Sequence, residues 1–479
     1  MRYETVVGIE THVELKTNTK AFCSCSTEFG GEPNTRTCPV CAGFPGTLPV
    51  LNKRVVEFAI RAGLALNCDI QRYNRFDRKN YFYPDLAKGY QISQLFYPIC
   101  LGGHVDIEVN GEKKRIRLNR IHIEEDAGKL VHSGASISTS DSSVVDYNRS
   151  SVPLLEIVSE PDIRSAEEAK AYMEKMRTIL EYIDVSDCKM QEGSLRCDAN
   201  VSIRPFGQEK FGTRSEIKNL NSFRSVQRGV DYEVLRQTEL VEDGGTVVQE
   251  TRTWDEEAGV TRSMRSKEEA HDYRYFPDPN LTPFIVEKEW VESVRAEMPE
   301  LPDARKERLM DKLGLSDYDA SGVIARLATA QYFDRIMEHT KDAKSAANWI
   351  LGDIAAWLNN NNLEMQDLPV KPENIARMIE LINGGVLSSK LAKTVFAEMV
   401  KEDKAPEDIV KEKGLEQISD TGAIEAIVDK IIAANPQSVT DFKAGKDKAL
   451  GFLVGQIMRE SRGKANPEMV NSMLKEKMS

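Results

Sequence analysis

No stretch of this chain approaches the roughly 18 consecutive apolar residues that a membrane-spanning helix needs. Its N-terminal segment, MRYETVVGIE, lacks the basic and apolar regions of a secretory signal, and it is too acidic for a transit peptide. These absences predict a cytoplasmic protein with no membrane partner. Its cysteines are then expected to be reduced, because disulfides are rare in the cytosol.

Common nucleotide-binding and hydrolase motifs are also missing. The nearest approach to a phosphate-binding P-loop, residues 384–390, has no second glycine before its lysine. The sequence contains no G-x-S-x-G elbow, and Ser388-Ser389-Lys390 lacks the glycine-rich surround of a Ser-Ser-Lys amidase. A bound nucleotide must therefore be held by some other arrangement.

Negative charge is in excess overall, with 76 Asp/Glu against 64 Lys/Arg and a formal net charge of −12. This balance argues against a protein that binds nucleic acid over its whole surface, but not against RNA binding by one domain. Residues 441–479 carry a net positive charge, opposite to that of the whole chain, with eight Lys/Arg against five Asp/Glu and a local balance of +3. Either a polyanionic partner or a solvated helical tail accounts for that asymmetry.

The 479 residues are enough for about three domains. The first part alternates between strand and helix patterns, which predicts an α+β fold with strands near 5–15, 105–109, 115–124, 153–158, 189–204 and 213–220. Helices are predicted over 53–66 and after Ser165, where Ser165 and Glu168 form a capping box. After Trp290 helical periodicity dominates and Pro406 marks a second boundary, which predicts an all-α domain followed by a small all-α tail.

Two segments with strand-like alternation each carry a face of reacting side chains. In residues 7–15 the positions on this face are Gly8, Glu10, His12 and Glu14, and in residues 195–204 they are Arg196, Asp198, Asn200, Ser202 and Arg204. Successive side chains of a strand point to opposite sides, so each segment buries one face and presents the other. Carboxylates, an imidazole and guanidinium groups concentrated in this way favour a cleft that holds a metal or a phosphate.

Two further features are open to two interpretations. Glu156 interrupts an apolar strand, where an unpaired buried carboxylate would be costly, so it either binds a metal or forms a salt bridge with an arginine. Residues 77–85 mix cations with aromatic rings. Such a segment can hold phosphates and stack on bases, or it can lie along the surface with its long side chains covering apolar neighbours.

Four of the eight cysteines lie within residues 23–41: Cys23, Cys25, Cys38 and Cys41. Two closely spaced thiolate pairs joined by a loop suit tetrahedral Zn²⁺, and a closed site of four thiolates is expected to be structural. A redox pair or unliganded thiols are the alternatives. The isolated cysteines and histidines are predicted to be structural; they are Cys68, Cys100, Cys188, Cys197, His104, His122, His132, His271 and His339.

Several long strings resemble the B subunits of aspartyl/glutamyl-tRNA amidotransferases, in that family's order along the whole chain. They are GIETHVEL at 8–15, DRKNYFYPD at 77–85, EEDAGK at 124–129, EIVSEPD at 156–162, GSLRCDAN at 193–200, KNLNSF at 218–223, DYRYFP at 272–277, GFLVGQ at 451–456 and ANP at 465–467. The resemblance implies a cradle-like catalytic domain over 1–292, a helical domain over 293–405 and a tRNA-binding tail over 406–479.

The resemblance also implies an enzyme of three different chains. Its A subunit, an amidase, releases ammonia from glutamine, and its small C subunit is the third member of the complex. The B subunit uses ATP and Mg²⁺ to phosphorylate the side-chain carboxylate of Asp or Glu misacylated onto tRNA(Asn) or tRNA(Gln). Ammonia then displaces phosphate and leaves the amide. An acyl phosphate divides one difficult step into two easier ones.

By the same resemblance, the catalytic residues at a metal or phosphate site are Glu10, His12, Glu125, Glu156 and Asp198. Of these, His12, Glu125 and Glu156 are expected to bind Mg²⁺. Because Mg²⁺ prefers oxygen, His12 either binds it directly, binds through water or contacts the substrate. Lys79 and Arg196 are expected to hold phosphates, and the four clustered cysteines match the zinc knuckle of some members.

A second hypothesis comes from a different functional class. In it the chain is a zinc-stabilised RNA-binding scaffold whose carboxylates are structural. Mg²⁺-dependent ATP turnover distinguishes the two hypotheses, because a scaffold would lack it.

Overall fold

The computed structural model describes residues 3–132, 142–266, 273–402, 404–416, 421–443, 446–461 and 464–478. They form two compact units, Met1–Leu301 and Pro302–Ser479, and the predicted further division of the second unit at 405 stays a prediction. Of the residues singled out above, His271 lies outside the described ranges. Within those ranges, no helix is both long and apolar enough to cross a membrane.

The first unit is built on β-strands. In chain order they are β1 (Tyr3–Glu14), β2 (Asp69–Ile70), β3 (Tyr73–Asn74), β4 (Asp77–Asn80), β5 (Tyr90–Ser93), β6 (Cys100–Leu101), β7 (His104–Val109), β8 (Glu112–Glu125), β9 (Lys129–His132), β10 (Ser143–Asp146), β11 (Pro153–Ser159), β12 (Leu195–Pro205), β13 (Ser215–Lys218), β14 (Glu250–Asp255), β15 (Val260–Ser266), β16 (Phe276–Pro277) and β17 (Phe284–Ile285). The large sheet has the order β15-β14-β13-β12-β1-β11-β8-β6-β2, with β7 also paired to β8. Smaller sheets join β9 to β10, β4 to β5 and β16, and β3 to β17.

Helices cover one face of the large sheet. They are α1 (Lys53–Ala65), α2 (Ala166–Tyr182) and α3 (Phe223–Glu242), and α4 (Lys288–Ala296) packs against α1. On β1 the apolar positions Val7, Ile9 and Val13 are buried, and the Thr11 hydroxyl donates a hydrogen bond to the sulfur of Met173 on α2 at 3.5 Å. The helices therefore pack on the apolar face of the sheet, and the polar face is left for a cleft.

The predicted strands are confirmed as β1, β7, β8, β11, β12 and β13, and the predicted helices as α1 and α2. The prediction for β12 began too early, because residues 189–194 form a turn in which Gly193 has φ of 84°. Ser165 caps α2 by accepting the Glu168 N–H at 3.1 Å. The capping box is not reciprocal, however, since the Glu168 carboxylate accepts the N–H of Arg164 at 2.7 Å rather than that of Ser165.

The second unit is helical, which confirms the predicted α+β class for the whole chain. Its helices are α5 (Pro302–Leu313), α6 (Asp317–Ile324), α7 (Leu327–Met337), α8 (Ala343–Trp349), α9 (Ala355–Asn361), α10 (Pro372–Asn383), α11 (Ser389–Glu402), α12 (Pro406–Lys413), α13 (Thr421–Ala434), α14 (Pro436–Lys443), α15 (Asp447–Glu460) and α16 (Pro467–Met478). A π-helical turn, Ile350–Ile354, joins α8 to α9. Near the C-terminus, α13, α15 and α16 share a hydrophobic cluster that includes Val428, Leu453 and Leu474.

Candidate active site

Strand register brings four charged or titratable side chains into one row. On β1, His12 lies opposite Arg196 of β12 on one side and Glu156 of β11 on the other. Glu156 in turn lies opposite His122 of β8. Directly opposed residues in antiparallel strands share a face, so the row crosses the polar side of the sheet.

His12, Glu124 and Glu156 form the first acidic cluster, in which one ligand atom from each residue lies within 4.8 Å of the others. The Nε2 atom of His12 is 3.6 Å from Glu156 Oε2. The Nε2 atom of His122 is 3.1 Å from Glu124 Oε1 and 3.3 Å from Glu156 Oε2. Gln91 donates to Glu124 Oε2 at 3.1 Å. Both carboxylates are buried, with 3% and 9% exposure for Glu124 and Glu156.

The histidines keep these carboxylates ionised. Burial raises the pKa of Glu156, but the charge of His122 and hydrogen bonds from His12 and His122 hold that pKa well below its usual range. Burial lowers the pKa of His122, yet the neighbouring Glu156 and Glu124 raise it to about 9. The pKa of His12 is also raised in spite of burial, chiefly by its hydrogen bond with Glu156. At neutral pH the cluster therefore holds carboxylates in the form that binds cations.

A second acidic cluster joins Glu10, Asp198 and Glu216, again with ligand atoms within 4.8 Å of one another. Glu10 of β1 lies opposite Asp198 of β12 and accepts a hydrogen bond from Asn200 at 3.0 Å. The Lys218 ammonium donates to Asp198 and lies 3.1 Å from Glu216. Burial, and after it the charges of the neighbouring carboxylates, raise the pKa of Glu10.

A cleft of about 320 Å³ opens over the polar face, and members of both clusters line it together with cations: His12, Glu124, Asp198, Lys79, Arg196 and Lys218. Lys79 reaches the cleft from β4, with its Nζ 5.1 Å from the ring centroid of Tyr273. Burial would lower the pKa of Lys79, but the Glu124 charge raises it above its ordinary value. Arg196 donates to Asp126 at 2.7 Å. Carboxylates and cations thus meet in one cleft.

Glu125, which the resemblance places among the Mg²⁺ ligands, is in neither cluster. Adjacent residues of a strand point to opposite sides, so Glu124 and Glu125 of β8 diverge. The Glu125 carboxylate accepts hydrogen bonds from the Lys88 ammonium, from the Ile92 N–H at 2.9 Å and from the Ser151 hydroxyl. The structure therefore brings Glu124, rather than Glu125, to the first cluster.

Four residues of the site were not assigned to it from the sequence: Glu124, Glu216, Lys218 and His122, the last of which was predicted to be structural. His122 and Glu124 are two positions apart on β8, so their side chains lie on the same face of the strand. The sequence shows this once the strand is recognised. Glu216 and Lys218 likewise alternate with Ser215 and Ile217 on β13. Strand parity was the signal that could have found all four.

The clustered cysteines converge as the spacing suggests: the four Sγ atoms of Cys23, Cys25, Cys38 and Cys41 lie within 4.8 Å of one another. All eight cysteines of the chain are free thiols. The Lys20 ammonium, which belongs to a fully buried side chain, lies 3.5 Å from Cys41 Sγ. Four sulfur donors fit tetrahedral Zn²⁺, and the lysine would offset part of the negative charge of four thiolates.

Comparison with known proteins agrees with the resemblance. Residues 5–292 match the family described as GatB/GatE catalytic domain, and residues 331–478 match the GatB domain. The B subunit of the aspartyl/glutamyl-tRNA(Asn/Gln) amidotransferase from Carboxydothermus hydrogenoformans is 57% identical over 477 residues, which cover 100% of this chain and 99% of that protein. Proteins of the same name from Brevibacillus brevis and Geobacter sulfurreducens are 58% and 57% identical, over 99% and 100% of this chain and 98% and 100% of their own lengths. On these matches, this chain belongs to the GatB/GatE family, that of the amidotransferase B subunits.

Proposed function

We propose that this chain carries out the ATP- and Mg²⁺-dependent amidation of misacylated Asp-tRNA(Asn), Glu-tRNA(Gln) or both. The side-chain carboxylate becomes an acyl phosphate, and ammonia from a partner glutaminase converts it into Asn-tRNA(Asn) or Gln-tRNA(Gln). The observation that carries the proposal is one cleft lined by members of two acidic clusters and by Lys79, Arg196 and Lys218. The names of the similar proteins support the substrate class.

The chemistry explains why such a cleft needs both signs of charge. A carboxylate is a poor acyl donor because its leaving group would be oxide. A carboxylate oxygen therefore bonds to the γ-phosphorus of ATP, while the bond from that phosphorus to the bridging oxygen breaks and ADP leaves. Ammonia then adds to the acyl carbon, the bond from that carbon to the phosphate oxygen breaks, and inorganic phosphate leaves as the nitrogen loses a proton. Two easier steps replace one difficult step.

The acidic clusters supply the donors for Mg²⁺. Glu124 and Glu156 would hold one ion together with His12, which gives up its proton when it binds the metal, and Glu10, Asp198 and Glu216 would hold a second. Carboxylate oxygens are the ligands that Mg²⁺ prefers, and a cation would balance the charges of the three carboxylates in the second cluster. When bound, Mg²⁺ neutralises charge on the oxygens of the transferred phosphoryl group.

The cations of the cleft orient the reacting groups. The guanidinium of Arg196 is held by Asp126 next to His12 and offers paired N–H donors to a phosphate or a carboxylate. Lys218 from β13 and Lys79 from β4 add positive charge where phosphoryl oxygens would lie. Donors fixed in advance stabilise developing charge without having to reorganise during the reaction.

The cysteine site is proposed to hold a structural Zn²⁺ that fixes the loop over residues 23–41. That loop supports the segment next to the cleft: the Asn34 side chain donates to the Val145 carbonyl at 2.9 Å, and the Ser150 hydroxyl donates to the Cys41 carbonyl at 3.1 Å. Zinc would therefore act on the fold around the cleft and not on the chemistry, because four thiolates leave no open coordination position.

The second unit is proposed to contact the tRNA. Lys448 and Arg459 are exposed on α15, eleven residues apart and so on one side of the helix, within the region of local charge +3. Exposed Lys and Arg side chains on one face of a helix can contact phosphates. The similar proteins are named as B subunits, which supports assembly with other subunits. We propose that these are the amidase (A) and small (C) subunits and that the complex acts in the cytoplasm.

The test is ADP release by the chain reconstituted with the A and C subunits, given ATP, Mg²⁺, an ammonium salt and either Asp-tRNA(Asn) or Glu-tRNA(Gln). Ammonium bypasses glutamine hydrolysis and isolates the chemistry of this chain. We expect ADP and amidated tRNA in equal amounts, loss of both in Glu156→Gln, and no change in Glu112→Gln, an exposed residue at the start of β8. Tight tRNA binding without ADP from either substrate would favour the scaffold hypothesis.

A further inference from the structure

His122 is the buried side chain that joins the two carboxylates of the first cluster. It is 3% exposed and belongs to β8, opposite Glu156 of β11. Its Nε2 atom lies within hydrogen-bond distance of oxygens from two different strands, 3.1 Å from Glu124 Oε1 and 3.3 Å from Glu156 Oε2. One imidazole nitrogen therefore sets the separation of two carboxylates.

The remaining contacts show which oxygen atoms are left for a ligand. Glu124 is also held by the Ser93 hydroxyl at its Oε1, at 2.6 Å, and by Gln91 at its Oε2. For Glu156, His12 and His122 both lie against Oε2. His122 thus contacts one oxygen of each carboxylate, and the other oxygen of each keeps at least one lone pair for a cation.

A purely structural role would give His122 a different set of partners. A buried histidine normally satisfies its ring nitrogens with backbone or core groups. The Nδ1 atom of His122 is buried and has no hydrogen-bond partner among the described residues. Its polar contacts are therefore the two carboxylates, which indicates that the side chain is placed for them.

We propose that His122 is a positioning residue, whose Nε2–H fixes Glu124 and Glu156 so that they and His12 form a divalent-cation site. This inference rests on the proposed function, which places Mg²⁺ at that cluster. Two carboxylates this close repel each other, and a shared donor on the side away from the cation holds them in the geometry the cation needs. Loss of such a supporting hydrogen bond typically costs about 10–100-fold in metal affinity.

The experiment measures binding of Mn²⁺ alone to the full-length chain by electron paramagnetic resonance, without ATP or tRNA, so the readout does not depend on turnover. His122→Leu removes the donor, His122→Gln keeps an N–H donor of similar reach, and His122→Asn keeps a shorter one. His104→Gln on β7 is the matched control, since His104 is partly exposed and 4.0 Å from Asp106. Circular dichroism establishes that each variant is folded.

We expect the dissociation constant for Mn²⁺ to rise about 10–100-fold in His122→Leu, to return most of the way in His122→Gln, and to be unchanged in His104→Gln. Unchanged affinity in folded His122→Leu would overturn the inference. If that variant does not fold, equal affinities in His122→Asn and His122→Gln would overturn it instead.

Glu156→Gln separates this inference from the proposed function on which it rests. If it binds Mn²⁺ as well as the unmodified chain does, the proposed metal site is wrong and the positioning role is lost with it. If it binds weakly while the His122 variants bind normally, the metal site stands and only the positioning role is refuted.

Discussion

Glu124 and Glu125 are neighbours on β8, yet loss of charge should affect them in different ways. The Glu125 side chain is 2% exposed and its partner Lys88 is 11% exposed, so the ion pair is shielded from water. Glu125→Gln would leave the ammonium buried without a counter-charge, and removing one partner of a buried pair costs roughly 3–5 kcal/mol. Glutamine can keep the hydrogen bonds from Ile92 and Ser151, so we expect the lower end, about 3 kcal/mol.

Glu124→Gln should act on cation binding instead. Its carboxylate belongs to the first cluster, so we expect Mn²⁺ affinity to fall by about tenfold or more, whereas Glu125→Gln should bind Mn²⁺ nearly as well as the unmodified chain. Urea unfolding followed by circular dichroism gives the free energy of unfolding, and Mn²⁺ titration gives the affinity. The double variant Lys88→Met/Glu125→Leu should recover stability, because a buried ion pair can often be replaced by apolar side chains of similar volume.

One result would refute this reasoning from strand parity. If Glu125→Gln weakened Mn²⁺ binding as much as Glu124→Gln and left the free energy of unfolding unchanged, the Glu125 carboxylate would have to reach the cation. The assignment from resemblance, which names Glu125, would then be the better one.

Three further predictions address the other features. Cys41→Ser should lower bound zinc well below one equivalent by metal analysis, and an unmodified chain that already lacks zinc would contradict the four-thiolate site. The double variant Lys448→Glu/Arg459→Glu should weaken tRNA binding about tenfold at low salt and leave the KM for ATP unchanged. Unchanged tRNA affinity would show that this face of α15 does not contact the tRNA. Burial raises the pKa of Glu233, but its bonds to Arg236, Gln237 and Thr261 hold that pKa below the ordinary value of 4.5. The stabilisation that ionised Glu233 provides is therefore complete above pH 4.5 and is lost as the pH falls toward the pKa of Glu233 in the folded protein. The loss of unfolding free energy in Glu233→Gln, measured by urea unfolding, should be constant near neutral pH and shrink below pH 4.5. A loss that grew in acid would contradict this pH dependence.

Strand alternation predicted the part of the site that lies on β1 and β12. Both strands bury one face against helices and present the other to the cleft, so the period of two is visible in Glu10, His12, Arg196 and Asp198. The C-terminal end of β8 is different, because its last residues are buried on both faces. Ile121 and Ile123 nevertheless alternate with His122 and Glu124 in the sequence. The expectation that named Glu125 came from the resemblance and not from this alternation.

Residues from short or distant segments were harder to place. Lys79 reaches the cleft because β4 pairs with β5 and β16, and the pairing of Arg78 with Phe276 joins segments almost two hundred positions apart. The resemblance supplied Lys79 without that geometry. Glu216 and Lys218 belong to β13, a strand of only four residues. The sequence predicts this strand, and its alternation places both side chains on one face, but it does not show that this face meets the cleft.

The position of the site in the sheet explains how so many buried charges hold their geometry. β1 is paired with β12 over Tyr3–Val13 and with β11 over Glu10–Glu14, so the register that places His12 between Arg196 and Glu156 is fixed by two ladders. A slip of one residue would turn the whole polar face into the core and expose Val7, Ile9 and Val13, at a cost far larger than any local rearrangement of the site. The apolar side of the sheet thus determines the spacing on its polar side. We therefore expect charge-neutral substitutions within the clusters to change cation affinity without changing the fold.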